Sequence, residues 1–229
     1  MSGKGIDLDK LRAAIRRLGD EYVYYMLDSA IELLPQSDLE RMVRPYLDPE
    51  KLRPDREQER DLLGTVRKFE KASRAGEYWD DFDVNSKNYR EASMGTRAWI
   101  AECNRLLVHC VEQAGTGDVA EMCEAFESIF GLLHRIDECL DDIIFFADEG
   151  GSWQVGVDWN MVLPAWFKCL AATAEPDEYA TAAIRPIDAF ENWNREEHLA
   201  IALETANPAQ RQAVETLLDT MEKERQLAE

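Results

Sequence analysis

The sequence predicts an all-α protein, and three observations lead to this fold class. Apolar residues recur at three- and four-residue spacing through most of the 229 residues, which is the period of an amphipathic helix. No alternating stretch is long enough to build a sheet. Turn segments rich in glycine and proline separate the periodic stretches, so we expect antiparallel helical hairpins that form an irregular bundle or a short α-solenoid.

The N-terminal third is predicted to hold four helices. Apolar periodicity places them over residues 6–18, 20–34, 37–47 and 55–75. Pro35 should end the second helix, because proline cannot donate a backbone hydrogen bond. Gly76 should end the fourth, because glycine tolerates the left-handed conformation that follows many helices.

The remaining two thirds are predicted to hold six helices, separated by an acidic aromatic loop and short turns. Periodicity places them over residues 96–114, 118–148, 159–174, 175–193, 195–205 and 207–227. Ser86 or Ser93, Asp158 and Asn207 are placed to cap helix N-termini with a side-chain oxygen. Pro186 should kink or break the helix that contains it.

The segment DDIIFFADEGGSWQVGVDW, residues 141–159, is predicted to leave the longest helix and cross the molecule. Gly150 and Gly151 suit the left-handed end of that helix. Apolar and polar residues then alternate from Trp153 to Trp159, so an extended strand-like segment would place both indoles on one side.

The helical hairpins over residues 96–147, 159–193 and 195–227 have similar lengths. With Ala125 and Phe126 in a second-helix position, this spacing resembles helical-repeat proteins of the tetratricopeptide or HEAT kind. The first helix lacks the W-x2-L-G-x2-Y pattern of tetratricopeptide repeats. The resemblance covers about half of the chain and implies a solenoid texture, and it transfers no functional residue.

Charge divides the chain into two predicted lobes. Residues 1–76 hold 15 basic and 15 acidic side chains, whereas residues 77–229 hold 11 basic and 31 acidic ones, giving a net charge of −20. An anionic body repels phosphate groups, so direct nucleic-acid and membrane binding are not expected. We expect a neutral N-terminal lobe and an acidic helical body that attracts basic protein partners, although the two lobes can form one continuous domain.

The five cysteines are predicted to be reduced thiols in a cytoplasmic protein. Their number is odd, no CxxC pair occurs, and most lie on apolar helical faces. No secretory signal and no apolar stretch of transmembrane length is present.

One candidate metal site lies on the longest predicted helix. His134, Asp137 and Asp141 are spaced so that one helix face presents all three, and histidine and carboxylates are ordinary ligands of divalent cations. Asp137 falls within the apolar arc of the helix, where a carboxylate needs a partner. The alternative is a structural partner, such as Arg105, Arg97, an indole N–H or a loop amide.

A second candidate site is a binding surface for a protein partner. Its first wall would be formed by the acids and aromatic residue near the glycine pair, and its second wall by the aromatic loop. The residues are Asp148, Glu149, Trp153 and Gln154, with Tyr78, Trp79 and Asp81 opposite. Aromatic side chains with flanking acids can bind a cation or a basic peptide.

These observations favour an interaction or adaptor protein that binds a basic or amphipathic protein segment, with homo-oligomer formation as a further alternative. Catalysis has little support, because the chain has three histidines, no nucleophile elbow and no phosphate-binding loop, and His198 falls in an acidic turn expected to be exposed. A metal-dependent enzyme using the His134 face is one rival. The other is an acidic mimic of nucleic acid, with Glu121, Glu124 and Asp142 in one row.

Overall fold

The protein is all-α in the computed structural model, which describes residues 6–48, 61–115, 117–147 and 150–228. These residues form ten α-helices and no strand, with one isolated backbone bridge between Ala92 and Phe146. The chain separates into two compact units, Met1–Asp55 and Arg56–Glu229. In the described ranges no helix is both long and apolar enough to cross a lipid bilayer.

In its described residues, 6–48, the first unit contains three short helices. They are α1 (Leu8–Ile15), α2 (Asp20–Leu33) and α3 (Gln36–Val43). Asp7 begins α1, because its carboxylate accepts the backbone N–H groups of Asp9 (3.0 Å) and Lys10 (3.1 Å). Wherever burial is described over residues 6–48, no side chain is buried. Several of their large apolar side chains, among them Leu8, Leu27 and Ile31, are exposed.

The described part of the second unit contains seven helices. They are α4 (Leu62–Arg74), α5 (Met94–Gln113), α6 (Val119–Asp137), α7 (Trp159–Thr173), α8 (Pro176–Phe190), α9 (Arg195–Thr205) and α10 (Pro208–Ala228). The caps at Ser93, Asp158 and Asn207 are confirmed, since each side-chain oxygen accepts a backbone N–H of its helix. Sequence reasoning placed these helix starts correctly because a capping residue is a local signal.

The helices of the second unit pack around one apolar core. The most extensive contacts pair α8 with α10 and α4 with α6, and α7 packs against α5, α6, α8 and α9. The largest fully buried side chains include Trp99, Trp166, Tyr179, Phe126 and Phe167. The helix α4 belongs to this core, so the packing boundary lies before it. The predicted lobes 1–76 and 77–229 divide the chain by charge and stay a prediction as functional domains.

Polar groups within this core find partners. The indole N–H of Trp99 donates to Ser73 Oγ (2.8 Å), and that hydroxyl donates to the carbonyl of Phe69 (2.7 Å). The Tyr179 hydroxyl donates to the carbonyl of Ala202 (2.7 Å), and burial raises the pKa of Tyr179 to about 12. Each of these bonds meets the need that a buried polar group has for a partner.

His198 departs from this pattern, and its predicted exposure is wrong. It lies in α9 and is fully buried, and neither ring nitrogen has a hydrogen-bond partner among the described residues. The acidic sequence around it suggested an exposed turn, but the residue falls on the inner face of a helix. Burying a polar group without a hydrogen-bond partner costs roughly 1–3 kcal/mol, and the described residues supply no partner that would offset this cost at His198.

The predicted helix over residues 118–148 is too long, because α6 ends at Asp137. The backbone N–H of Cys139 donates to the carbonyl of Ile136 (3.2 Å), and that of Leu140 donates to the carbonyl of Arg135 (3.0 Å). Cys139 has φ +51°, in the left-handed region. This pair of bonds is the Schellman ending of a helix, here formed without glycine. Gly150 and Gly151 therefore do not end the helix.

Two further expectations are corrected. Ser152–Val155 forms a 3-10 turn instead of an extended segment, which leaves Val155 buried and Trp153 73% exposed. An extended chain would have placed the side chains of Trp153 and Val155 on the same side. A 3-10 turn has three residues per turn, so these two side chains point in different directions. The predicted break at Pro186 is also wrong, because Pro186 lies inside α8, which continues to Phe190.

Candidate binding groove

The three residues of the predicted metal site do not converge. The carboxylate of Asp137 accepts the backbone N–H of Ser152 (2.7 Å) and the Ser152 hydroxyl (2.7 Å). A loop amide is therefore its partner, as the structural alternative proposed. Asp141 lies beyond the end of α6 and pairs with Arg135, whose hydrogen bond and charge hold the pKa of Asp141 below its ordinary value.

His134 points to a different neighbourhood from the two carboxylates, since it lines a groove with residues of α8. Among the described residues, no group of three His, Cys, Asp or Glu side chains is arranged to hold a metal ion. The spacing argument assumed that the helix continues to Asp141, and the early end of α6 removes that residue from the helix face.

The predicted protein-binding surface is described in part. Asp148 and Glu149 lie outside the described residues. Trp153 and Gln154 are exposed in the 3-10 turn. The exposed Trp153 ring remains available for contact with a partner at this turn.

The second wall of that predicted surface packs elsewhere. The ring of Tyr78 meets the ring of Phe69 edge-on at 5.7 Å, and Trp79 meets Phe145 edge-on at 5.5 Å. Burial raises the pKa of Tyr78. Asp81 is exposed on the same loop. Among the ring contacts of the described residues, none joins Trp153 to either aromatic side chain of this wall.

A groove that sequence reasoning missed lies between α6 and α8, with α7 at its floor. Its volume is about 330 Å³. Ten residues line it, of which seven are apolar or glycine and three can carry charge: Glu127, Phe130, Gly131, His134, Trp166, Ala182, Arg185, Pro186, Ala189 and Phe190. We name it the α6/α8 groove.

Aromatic rings form the floor of the α6/α8 groove. The ring of Phe130 meets Trp166 edge-on at 5.6 Å and lies 6.4 Å from Phe190. Behind them, Trp159 stacks on Phe190 at 5.1 Å with parallel planes. Rings fixed by several neighbours lose little freedom on contact with a ligand, so this floor is a rigid apolar surface.

The proline within α8 explains one contact in this floor. Pro186 has no N–H, so the carbonyl of Ala182 lacks its usual donor four residues later. The indole N–H of Trp166 donates to that carbonyl at 3.4 Å. An indole from α7 thereby replaces the missing backbone donor, and α8 continues through Pro186 to Phe190.

Gly131 opens the wall of the groove on α6. A Cβ atom placed on Gly131 would meet no heavy atom within 4 Å. Glycine inside a helix costs about 1 kcal/mol relative to alanine. The position therefore gives up helix stability while leaving space at the groove.

Glu127 supplies the carboxylate among the residues that line the groove. Partial desolvation raises the pKa of Glu127, although the residue is exposed, and repulsion from Glu178 and Glu124 raises it further. Arg185 lowers it and offsets part of that rise. Glu124 is itself held by Arg67, which donates to it at 3.0 and 2.5 Å. Glu127 forms none of the ion pairs found among the described residues, so its carboxylate gains from a nearby cation.

The sequence contains only a weak signal for this groove. Phe130 falls in the apolar arc of α6, and periodicity assigns such a residue to the core. Gly131 and His134 follow at positions that a groove needs, but the packing of three helices decides whether space remains between them. Long-range packing of this kind is not visible in a single stretch of sequence.

Comparisons with known proteins found none that is similar to this chain. No protein-family model, no curated protein and no solved structure matches it.

Proposed function

We propose that this chain is a protein-interaction module, and that the α6/α8 groove binds an amphipathic segment of a protein partner. An apolar side chain of the partner would lie on the aromatic floor, and a basic side chain would lie beside Glu127. The observation that carries the proposal is a concave aromatic surface next to an exposed carboxyl group whose pKa is raised by partial desolvation and by neighbouring acids.

The size of the groove supports an anchoring side chain as the occupant. Sites for small molecules span about 300–1,000 Å³, so a groove of about 330 Å³ is at the small end. That volume suits one or two side chains better than a large cofactor. Buried aromatic pockets that receive one anchor residue commonly carry most of the energy of a protein interface.

Charge supports the basic component of the partner. Residues 77–229 carry 31 acidic and 11 basic side chains, and a field of one sign speeds the approach of an oppositely charged partner. A lysine or arginine beside Glu127 would stabilise the ionised carboxylate. Arg185 on the same groove can donate to a backbone carbonyl or a carboxylate of the bound segment.

The α6/α8 groove is preferred over the exposed turn at Trp153 because it combines concave shape, rigid rings and charge in one place. A metal-dependent enzyme gains no support, since Asp137 and Asp141 are engaged by Ser152 and Arg135. The described residues offer no observation that favours an acidic mimic of nucleic acid. A solenoid or irregular-bundle arrangement of the helical hairpins stays a prediction.

The test is a selection of displayed random peptides on the full-length chain. We expect enriched sequences to place an aromatic or long aliphatic residue near lysine or arginine. Gly131→Met should weaken their binding at least about tenfold, or about 1.4 kcal/mol, because the new side chain enters the open space of the groove. Methionine also favours a helix more than glycine does, so the variant should stay folded.

A matched pair of charge reversals tests the role of Glu127. Glu127→Lys should weaken peptide binding several-fold, as expected for replacing an attractive charge contact at the groove by a repulsive one. Glu121→Lys makes the same change at a residue of the same helix that is exposed like Glu127 but does not line the groove, and it should have little effect. Equal binding to wild type and Gly131→Met, or no enriched sequence at all, would refute the proposed function.

A further inference from the structure

The first unit leaves an unusual amount of apolar surface uncovered. Ten of the nineteen large hydrophobic side chains that are exposed in the described part of the chain lie between Ile6 and Leu47. Scattered exposed hydrophobic residues need no explanation, but a concentration of them in so short a stretch marks an interaction surface.

On α2 these side chains form a continuous stripe. Tyr24, Leu27 and Ile31 are separated by three and four residues, so they share one helix face, and each is between 43% and 56% exposed. On α1 and the turn that follows it, the exposed Leu8 and Leu18 flank the half-buried Leu11 and Ile15. Each helix therefore offers an apolar stripe to a further helix.

The charges of the two helices are opposite. Residues 6–19, which contain α1, hold Lys10, Arg12, Arg16 and Arg17 against two aspartates, and α2 holds four acidic residues and no basic one. Arg12 pairs with Asp9 at 3.0 Å, whereas Arg16 and Arg17 are exposed and form none of the ion pairs found among the described residues. These two arginines are available to an acidic partner helix.

We propose that the first unit mediates a symmetric dimer of this chain, in which α1 of one copy packs against α2 of the other. A two-fold axis makes the contact twice, α1 on α2 and α2 on α1. Apolar stripes meet at the centre, and the basic segment over residues 6–19 lies beside α2, whose charged residues are all acidic.

A second copy is the occupant that the charge distribution favours. The chain supplies both members of the complementary pair, an apolar helix with excess basic charge and an apolar helix with only acidic charge. The unit over residues 1–55 is also close to neutral, with 9 basic and 11 acidic side chains, whereas residues 56–229 hold 17 and 35. Two copies can therefore approach through this unit with less repulsion than through the acidic body.

The first experiment measures the molar mass of the full-length chain by light scattering over a range of concentrations. Wild type should give twice the chain mass of 26.2 kDa. The double variant Leu27→Lys and Ile31→Lys should give the mass of one chain, because lysine interrupts the apolar stripe. Trp193→Lys is the matched control, since Trp193 is 97% exposed in the second unit, and it should stay dimeric. Circular dichroism checks that each variant keeps its helices.

A charge exchange tests the pairing of α1 with α2. One variant carries Arg16→Glu and Arg17→Glu, and a second carries Asp28→Lys and Glu32→Lys. Each alone places like charges opposite each other in its homodimer, so each should dimerise at least about tenfold more weakly than wild type. In a mixture, both contacts of the heterodimer join opposite charges, and dimer should return.

The outcomes decide the proposal. Wild type that stays monomeric up to about 100 μM would overturn it and leave the exposed face to a different protein. Homodimers weakened in both variants without recovery in the mixture would overturn the α1-on-α2 arrangement. Recovery only in the mixture would establish it.

Discussion

The helices α4 and α6 end with the same backbone hydrogen bonds but with different residues at the decisive position. After α4, Gly76 donates to the carbonyl of Ser73 (3.1 Å) and Glu77 donates to that of Ala72 (3.1 Å). After α6, Cys139 and Leu140 make the equivalent bonds. Gly76 has φ +73° and Cys139 has φ +51°. The end of α4 has glycine, which suits the left-handed conformation, whereas the end of α6 has cysteine in the same conformation.

The difference shows how a helix end can be set by distant contacts. Gly76 adopts the left-handed conformation at little cost, so its presence in the sequence predicts the end of α4. At Cys139, a residue that has a Cβ atom must adopt the left-handed conformation. The contacts that surround this second end are the hydrogen bonds from Ser152 to Asp137 and the ion pair of Arg135 with Asp141. We infer that these contacts hold the chain in its turn.

The largest effect is expected from the contact that anchors the end of α6. Asp137→Ala removes the acceptor of both Ser152 bonds and leaves the backbone N–H of Ser152 without this partner, so we expect a loss of about 1–3 kcal/mol in the free energy of unfolding. Denaturant titration measures it. Ser152→Ala keeps the backbone bond and should cost less. Equal losses in the two variants would mean that the amide bond contributes little.

A smaller loss is expected at the end of α4. Gly76→Ala should cost about 1–2 kcal/mol, because an L-residue is disfavoured in the left-handed region. Its Cβ would lie 3.4 Å from the backbone oxygen of Asp142, an ordinary contact, so the cost is conformational. Gly115→Ala is the control, since it has open space around it and no left-handed φ. The same denaturant titration should find Gly115→Ala near wild type, and a similar loss in both would contradict this account.

The smallest effect is a gain at the end of α6. Cys139→Gly should stabilise the protein by about 0.5–1 kcal/mol, because glycine adopts this φ without steric strain. Cys139→Ala also removes the thiol but keeps the Cβ, so it should give no gain. If thermal unfolding shows the same gain for both variants, the thiol and not the backbone conformation is responsible.

The sequence predicts helix starts well and some helix ends poorly, for physical reasons. Ser93, Asp158 and Asn207 act on amides two or three residues away, so their roles are visible in a short window. The end of α6 is not visible in a short window, because Ile143 and Ile144 continue the apolar pattern although they are buried outside any helix. Their burial depends on the path of the chain in three dimensions.

The same limit applies to the candidate site. Periodicity correctly assigns Phe130 to the apolar face of α6, and it cannot show that Gly131 beside it borders open space. The predicted metal ligands do not converge among the described residues, because the prediction assumed a helix through Asp141 and α6 ends at Asp137. Local sequence patterns predict the individual helices, whereas the groove arises from the packing of α6, α7 and α8.

The bond between Trp166 and the carbonyl of Ala182 also sets the alignment of two helices. A shift of α7 along α8 by one residue moves its side chains by about 1.5 Å, which would carry the indole N–H out of reach of that oxygen. Pro186 cannot supply a replacement donor. A proline in one helix thereby makes sliding between α7 and α8 costly, so the aromatic floor keeps a fixed register with the wall above it.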